Sequence, residues 1–234
     1  MNEDYLSCDD NRCVLMVEDL AGHSSESEQS AKFNKVIADI ARVYPDALLV
    51  GAVAAAKYIR HPSKPRETLD VDVLLGEKDF AEFLVDEIQE DTLNRLETFF
   101  ETSDSVNHSM RHRKTGIYVD FLSAESQPIR TSLVRGILEN RSQATHTLQN
   151  RDADIEILKP EYLLAMKVVR YSKYSDTERG ASDRQDIVKL LETMEARNIP
   201  VDHALVRSLL NRLEKGYYEK ILAEHTQEEA RNPA

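Results

Sequence analysis

The stretch TLDVDVLL, residues 68–75, alternates apolar side chains with polar and acidic ones at a period of two. Successive side chains of an extended strand point to opposite faces, so Val71 and Val73 share one face. Asp70 and Asp72 share the other face, where two carboxylates repel each other and are costly to bury unpaired. The pattern therefore predicts a strand with one buried face and one acidic face that a cation would stabilise.

A second acidic position interrupts an otherwise apolar strand pattern, IYVDFL, at residues 117–122. If this strand lies beside the first, Asp120 joins Asp70 and Asp72. Carboxylates, water and phosphate oxygens are the ligands that Mg²⁺ prefers. Three such carboxylates can hold two divalent ions about 4 Å apart, which is the arrangement used for in-line phosphoryl displacement. We therefore expect a site for two Mg²⁺ ions at Asp70, Asp72 and Asp120.

A third segment, LLVGA at residues 48–52, reads as a buried strand followed by a glycine and an alanine-rich helix. The backbone N–H groups at the start of a helix can bind a phosphate. Gly51 and Ala52 are therefore candidates for contact with a phosphate group.

The apolar periodicity divides the chain into an N-terminal extension (1–28), a mixed α/β core (29–158), a helical C-terminal region (159–226) and a tail (227–234). The fold class is α+β, a mixed sheet with flanking helices followed by a helical region. In the core we expect helices at 30–43, 52–58, 80–88, 93–100 and 129–140, and strands at 47–50, 68–75, 106–113, 117–122 and 153–158. After Pro160 we expect helices at 162–171, 183–195, 204–213 and 217–223.

These segments together resemble the nucleotidyltransferases of the DNA polymerase β superfamily. The Arg-x-Thr-x-Asp-x-Asp form that begins at Arg66 and Thr68 is similar to the abortive-infection and toxin–antitoxin group of that superfamily. The segments 158–167 and 182–187 are similar to the same group. The resemblance covers about residues 30–195 and implies a nucleotidyltransferase-type mixed sheet.

The resemblance also implies roles for individual residues. Asp70 and Asp72 would bind both Mg²⁺ ions and the nucleotide triphosphate, and Asp120 would bind one ion and accept the proton of the attacking hydroxyl. The implied nucleotide-binding residues are Gly51, Ala52, Arg66, Thr68, Lys167, Asp183 and Asp186. Two positions depart from the family pattern: Ala52 stands where the family has glycine or serine, and Ser182 where it has lysine. On the residues alone, Asp183 and Asp186 could instead cap a helix and pair with Arg184 or Lys189.

The implied function is transfer of NMP from an NTP to a hydroxyl acceptor, either RNA, such as tRNA, or protein. It includes the role of a toxin with an antitoxin partner. One alternative is a small-molecule adenylyltransferase of the antibiotic-modifying type. A second alternative is a nucleotide-binding module without catalytic activity.

The formal net charge of −12 is unfavourable for binding a nucleic-acid backbone over a wide surface. A polyanionic acceptor would therefore bind at a local patch. One candidate is the basic run Arg111–Lys114, which leads towards Asp120, and a second basic set lies in the C-terminal half: Lys167, Arg170, Lys173, Arg179 and Arg184. The alternative for the run Arg111–Lys114 is a solvated hairpin tip. No segment approaches the roughly 20 apolar residues of a membrane span, and the N-terminus lacks the features of a secretory signal. We therefore expect a cytoplasmic protein that does not contact the membrane.

Overall fold

The structure is a computed structural model that describes residues 7–9, 12–16, 28–58, 70–84, 90–102, 108–125, 129–149 and 153–231. Its strands are β1 (Ser7–Asp9), β2 (Arg12–Met16), β3 (Leu48–Leu49), β4 (Asp70–Leu74), β5 (Phe100–Thr102), β6 (Ser109–His112), β7 (Tyr118–Leu122), β8 (Thr145–Gln149) and β9 (Ile155–Leu158). Its helices are α1 (Glu28–Val43), α2 (Gly51–Tyr58), α3 (Glu77–Leu84), α4 (Glu90–Phe99), α5 (Thr131–Glu139), α6 (Arg141–Ala144), α7 (Pro160–Tyr174), α8 (Glu178–Ala196), α9 (His203–Leu209) and α10 (Arg212–Arg231).

The strands form one mixed sheet in the order β1-β2-β8-β9-β3-β4-β7-β6-β5. β4 pairs antiparallel with β3 and parallel with β7, and β7 continues antiparallel into β6. The hairpin between β6 and β7 turns at Gly116, whose φ of 73° lies in the left-handed region that favours glycine. The predicted α+β class, with a mixed sheet, flanking helices and a helical C-terminal region, is confirmed.

One face of β4 and β7 is part of the hydrophobic core. Val71 and Val73 are fully buried, as are Val119 and Phe121 on the neighbouring strand. The Phe121 ring contacts three aromatic rings, those of Tyr44 after α1, Phe83 in α3 and Phe100 in β5. Full burial of each such side chain contributes about 1.5–3 kcal/mol to stability. This packing fixes which face of β7 turns outward, and therefore fixes the direction of the Asp120 side chain.

Helix α7 is the central element of the C-terminal region. It is buried over most of its length, and it contacts α8, α9, α10 and also α2 of the core. Every residue from 162 to 169 is buried, so this part of the helix is enclosed on all sides. Pro160 begins α7, as expected for a residue without an N–H at the first helical position. The expected division of the chain near residue 159 stays a prediction.

The expected single helix over 204–213 is wrong. α9 ends at Leu209 and α10 begins at Arg212 because Asn211 and Glu214 form a capping box. The Glu214 N–H donates to Asn211 Oδ1 at 3.0 Å, and the Asn211 N–H donates to Glu214 Oε2 at 2.7 Å. The side chain of Arg130 also donates to the carbonyl of Leu209 at 2.6 Å, which satisfies the end of α9.

None of the helices in the described part of the chain combines the length and the apolar character that a bilayer span requires.

Candidate active site

The register between β4 and β7 determines the acidic face of the sheet. Asp72 is paired with Asp120, and Asp70 is paired with Tyr118. Paired side chains in neighbouring strands point to the same face of a sheet, so these four side chains share the face opposite the core. The predicted position of the second acidic strand, directly beside the first, is confirmed.

Gly51 gives the Asp72 side chain the space that it occupies. A Cβ atom on Gly51 would lie 1.9 Å from Asp72 Oδ2, and the φ of Gly51 is +70°. The preceding residue, Val50, donates its backbone N–H to the carbonyl of Asp72 at 3.1 Å. The glycine is required here both by its backbone conformation and by the close approach of the carboxylate.

Burial and neighbouring carboxylates both disfavour the charged form of Asp72. The pKa of Asp72 is raised to about 6: burial is the largest cause, the charges of Asp70 and Asp120 add to it, and those of Arg170 and Lys167 oppose it. A carboxyl group with a raised pKa is harder to ionise than in water. This part of the cleft therefore favours the arrival of positive charge.

Asp120 is oriented by a neighbour on the next strand. Ser109 on β6 is paired with Asp120, and its Oγ donates to Asp120 Oδ1 at 2.6 Å. Ser109 is buried. One carboxylate oxygen is thereby held in place, and the other is left to interact with a ligand.

The opposite wall is formed by helices α7 and α8 and carries paired charges. Lys167 Nζ donates to Asp186 Oδ2 at 2.7 Å and lies 3.8 Å from Asp183 Oδ1. Arg170 Nε donates to Asp183 Oδ2 at 2.7 Å, and Arg170 Nη2 also contacts this carboxylate. Asp183 and Lys167 are almost fully buried. Because buried ions are costly unless they are paired, this cluster holds α7 and α8 together.

A cleft of about 570 Å³, including its open mouth, separates the two walls. Its polar lining comprises Asp72 and Asp120 from the sheet, and Lys167, Arg170 and Arg179 from the helices. The remaining lining residues are Val50, Gly51, Leu122, Ile129, Leu163 and Met166. A pocket with an apolar lining and a few convergent polar groups is typical of small-molecule sites.

Comparisons with known proteins bear on the fold. No protein-family model matches the chain, and no curated protein matches it. Among solved structures, it is similar to the crystal structure of an antigenic nucleotidyltransferase-like protein from Paracoccidioides brasiliensis. The two chains are 15% identical with a TM-score of 0.54, over 85% of this chain and 93% of the other. The chain has a nucleotidyltransferase-like fold.

Within this nucleotidyltransferase-like fold, several residues expected at the site lie in the cleft. Gly51, Asp72, Asp120 and Lys167 line it. Asp70 lies on the same face of β4, beside Tyr118, and does not line the cleft. Within the part of the chain that the structure describes, no three His, Cys, Asp or Glu side chains are grouped as around a bound metal ion. The assignment of two Mg²⁺ ions to the three aspartates stays a prediction.

The other expected nucleotide-binding residues have different positions. Asp183 and Asp186 lie behind the cleft wall as partners of Lys167 and Arg170, and neither lines the cleft. Ala52 follows Gly51 at the start of α2 and is half-buried. Arg66 and Thr68 lie outside the described residues. The nucleotide contacts of all these residues remain predictions.

The basic run Arg111–Lys114 does not form a continuous patch. His112 is fully buried and lies 3.1 Å from Asp39. Arg113 donates to the backbone carbonyls of Glu97 and Phe100. Arg111 is half-exposed and points to the same face as Tyr118, with which it is paired across β6 and β7.

Three polar residues of the site, Arg170, Ser109 and Arg179, are not among the site residues predicted from the sequence, although Arg170 and Arg179 belong to the second basic set. Arg170 was detectable, because it lies one helical turn after Lys167 and its partner Asp183 lies one turn before Asp186. Ser109 could be identified only with the exact register of the β6–β7 hairpin. Nothing in the sequence marks Arg179 as a cleft residue.

Proposed function

We propose that the protein is a Mg²⁺-dependent nucleotidyltransferase that transfers NMP from an NTP to a hydroxyl acceptor. The observation that carries the proposal is the pairing of Asp72 with Asp120 on neighbouring parallel strands that face one cleft. The opposite wall of that cleft supplies Lys167 and Arg170, which suit a polyphosphate. The nucleotidyltransferase-like fold supports the same chemistry.

The donor set of the cleft fits a divalent cation. Burial and the charges of Asp70 and Asp120 raise the pKa of Asp72, so a cation would stabilise its charged form, and oxygen ligands are those that Mg²⁺ prefers. Asp72 and Asp120 would hold the ion or ions, together with Asp70 on the same face of β4. When bound, Mg²⁺ neutralises charge that develops on the reacting phosphate and on the leaving pyrophosphate.

The remaining steps belong to side chains of this chain. Lys167 and Arg170 attract the triphosphate and orient it towards the sheet. Asp120 accepts the proton of the acceptor hydroxyl, whose oxygen forms a bond to the α-phosphorus as the bond to pyrophosphate breaks. Ser109 keeps the Asp120 carboxylate in position for that proton transfer.

The acceptor side of the proposal rests on the open face of the sheet next to the cleft. Tyr118 has 40% exposure and lies beside Asp70, and Arg111 follows it on the next strand. An exposed aromatic ring next to a cation is suited to a single-stranded nucleic-acid end, since bases stack on rings and phosphates bind arginine. We therefore propose RNA, such as tRNA, as the acceptor in preference to protein.

The test is incubation of the protein with each α-labelled NTP, Mg²⁺ and total RNA. We expect label to appear in RNA with one or more NTPs. Asp120→Asn should reduce transfer about a thousandfold or more, the size expected when electrostatic stabilisation of the transition state is lost. Label that stays in nucleotide with every NTP would contradict the proposal.

Two other outcomes of this experiment correspond to the alternative functions. Part of the cleft lining is apolar and includes Ile129, Leu163 and Met166, and the net charge of the chain is negative. Both features suit a small-molecule acceptor. Label on added aminoglycosides but not on RNA would favour that adenylyltransferase. Saturable NTP binding without transfer would favour the inactive module.

The toxin role implied by the sequence resemblance is part of the same proposal. Induced expression of the wild-type protein should arrest bacterial growth, and Asp120→Asn should not. Normal growth with an active, expressed wild-type enzyme would contradict the toxin role but not the transferase activity.

A further inference from the structure

The positive charges that line the cleft differ in how far they are already neutralised. Lys167 and Arg170 both make ion pairs with buried aspartates behind the wall. Arg179, on the first turn of α8, also lines the cleft. In the part of the chain that the structure describes, its guanidinium group has no carboxylate within ion-pair distance. Arg179 is therefore the lining cation whose charge is most available to a ligand.

The surroundings of Arg179 hold it near the mouth of the cleft without fixing its side chain. The residue is exposed, and its Cζ atom lies 5.8 Å from the centre of the Tyr174 ring. A cation–π contact at an exposed site is weaker than the charge-assisted hydrogen bonds that arginine makes with phosphate. The guanidinium group can therefore exchange the ring for a phosphate group at little cost.

The backbone that carries Arg179 is placed closely against the end of α7. A Cβ atom on the next residue, Gly180, would lie 1.9 Å from the carbonyl oxygen of Tyr174. The Gly180 N–H donates to Thr177 Oγ1 at 3.1 Å, which caps α8. The start of α8 is thus fixed relative to α7, so Arg179 faces the same cleft as Lys167 and Arg170.

We propose that Arg179 binds the terminal phosphates of the nucleotide and gives the site its preference for triphosphates over monophosphates. The inference rests on the proposed nucleotidyltransferase function. In that function the reacting α-phosphate lies at the carboxylate wall. The β- and γ-phosphates extend away from it and need positive charge that Asp183 and Asp186 have not already neutralised.

The test is the affinity of the purified full chain for ATP, GTP, CTP and UTP and for the matching monophosphates, measured by calorimetry with Mg²⁺ and without acceptor. Arg179→Ala should weaken binding of the preferred NTP about 10- to 100-fold, as expected when a hydrogen bond between charged groups is lost. Binding of the matching NMP should change less than about twofold, and Arg179→Lys should restore part of the difference. Arg184→Ala is the matched control, since Arg184 lies on the same helix and pairs with Glu224 outside the cleft lining.

The outcomes separate this inference from the proposed function. Wild-type protein that binds no nucleotide would overturn both. Wild-type binding with an equal loss for NTP and NMP in Arg179→Ala, or with no loss, would overturn only the role of Arg179. A loss confined to the affinity for tRNA, measured in the same variant, would assign Arg179 to acceptor phosphates and would also overturn the inference. Thermal unfolding at the wild-type temperature checks that each variant is folded.

Discussion

The two walls of the cleft handle their charges in opposite ways. On the sheet wall, Asp72 lies near Asp70 and Asp120 and its pKa is raised to about 6, by burial first and then by these two charges. On the helical wall, Lys167 and Arg170 are matched with buried aspartates. The sheet wall therefore favours the binding of a cation, whereas Lys167 and Arg170 of the helical wall mainly stabilise the fold.

This difference suggests which side chains serve stability and which serve binding. Paired buried charges are costly to separate, because the remaining partner is left without compensation. Like charges that lie together on one face repel each other and lower stability. A ligand of opposite charge relieves this repulsion when it binds. Substitutions on the helical wall should therefore reduce stability, and substitutions on the sheet wall should mainly reduce activity.

The largest expected effect on stability is that of Asp183→Asn. The change leaves Arg170 and Lys167 with insufficient negative charge in a buried setting, and we expect a loss of about 3–5 kcal/mol in the free energy of unfolding. Urea unfolding of the purified variant measures it. Glu219→Gln is the control, because its pair with Arg207 is exposed and should contribute little to stability. Equal, small losses for both variants would show that the helical wall is not a structural cluster.

Gly51→Ala should affect both stability and activity. The left-handed φ costs a non-glycine residue about 1–2 kcal/mol, and the added Cβ displaces the Asp72 carboxylate. We expect the free energy of unfolding to fall by at least this amount. The transfer activity of the folded variant should also be strongly reduced. Gly136→Ala is the matched control, since Gly136 lies in α5 with nothing within 4 Å of the added Cβ. That variant should be neutral or more stable by about 0.5–1 kcal/mol. Wild-type activity in Gly51→Ala would contradict the close approach at Asp72.

The smallest expected effect is a pH dependence of stability due to Asp72. Its folded pKa of about 6 lies above its usual value of 3.8, so the folded state binds the proton more tightly than the unfolded state. The stabilisation is fully present below the usual pKa and is lost as pH rises through about 6. Without divalent ions, the stability of wild type relative to Asp72→Asn should therefore fall as pH rises from about 4 to about 7. A difference that does not change with pH would show that burial and the neighbouring carboxylates do not raise the pKa of Asp72.

The two strands that form the acidic face were predictable from the sequence because they obey a local rule. The apolar residues of β4 alternate with aspartates, as a strand with one buried face requires, and β7 carries a single aspartate in an otherwise apolar run. The turn at Gly116 was predictable for a similar reason, since glycine favours the left-handed conformation that the hairpin requires.

Other features depend on contacts that are distant in the chain. β8 is a polar strand, Thr145–Gln149, whose pairing with β2 and β9 determines its conformation. Ser109 reaches Asp120 only through the hairpin register, and Arg179 reaches the cleft only through the packing of α8 on α7. The break between α9 and α10 did have a local signal, the capping box at Asn211 and Glu214, that apolar periodicity alone does not detect.

The most direct test of the two-wall account is divalent-ion binding at the sheet wall. Mn²⁺ binding to the purified protein can be measured by electron paramagnetic resonance with a non-hydrolysable analogue of the preferred NTP. We predict saturable binding by wild type that is lost in Asp72→Asn and Asp120→Asn, and retained in the control Asp46→Asn, whose side chain is exposed on a turn outside the cleft lining. Unchanged Mn²⁺ binding in the two cleft variants, or no binding to the wild-type protein, would contradict the account.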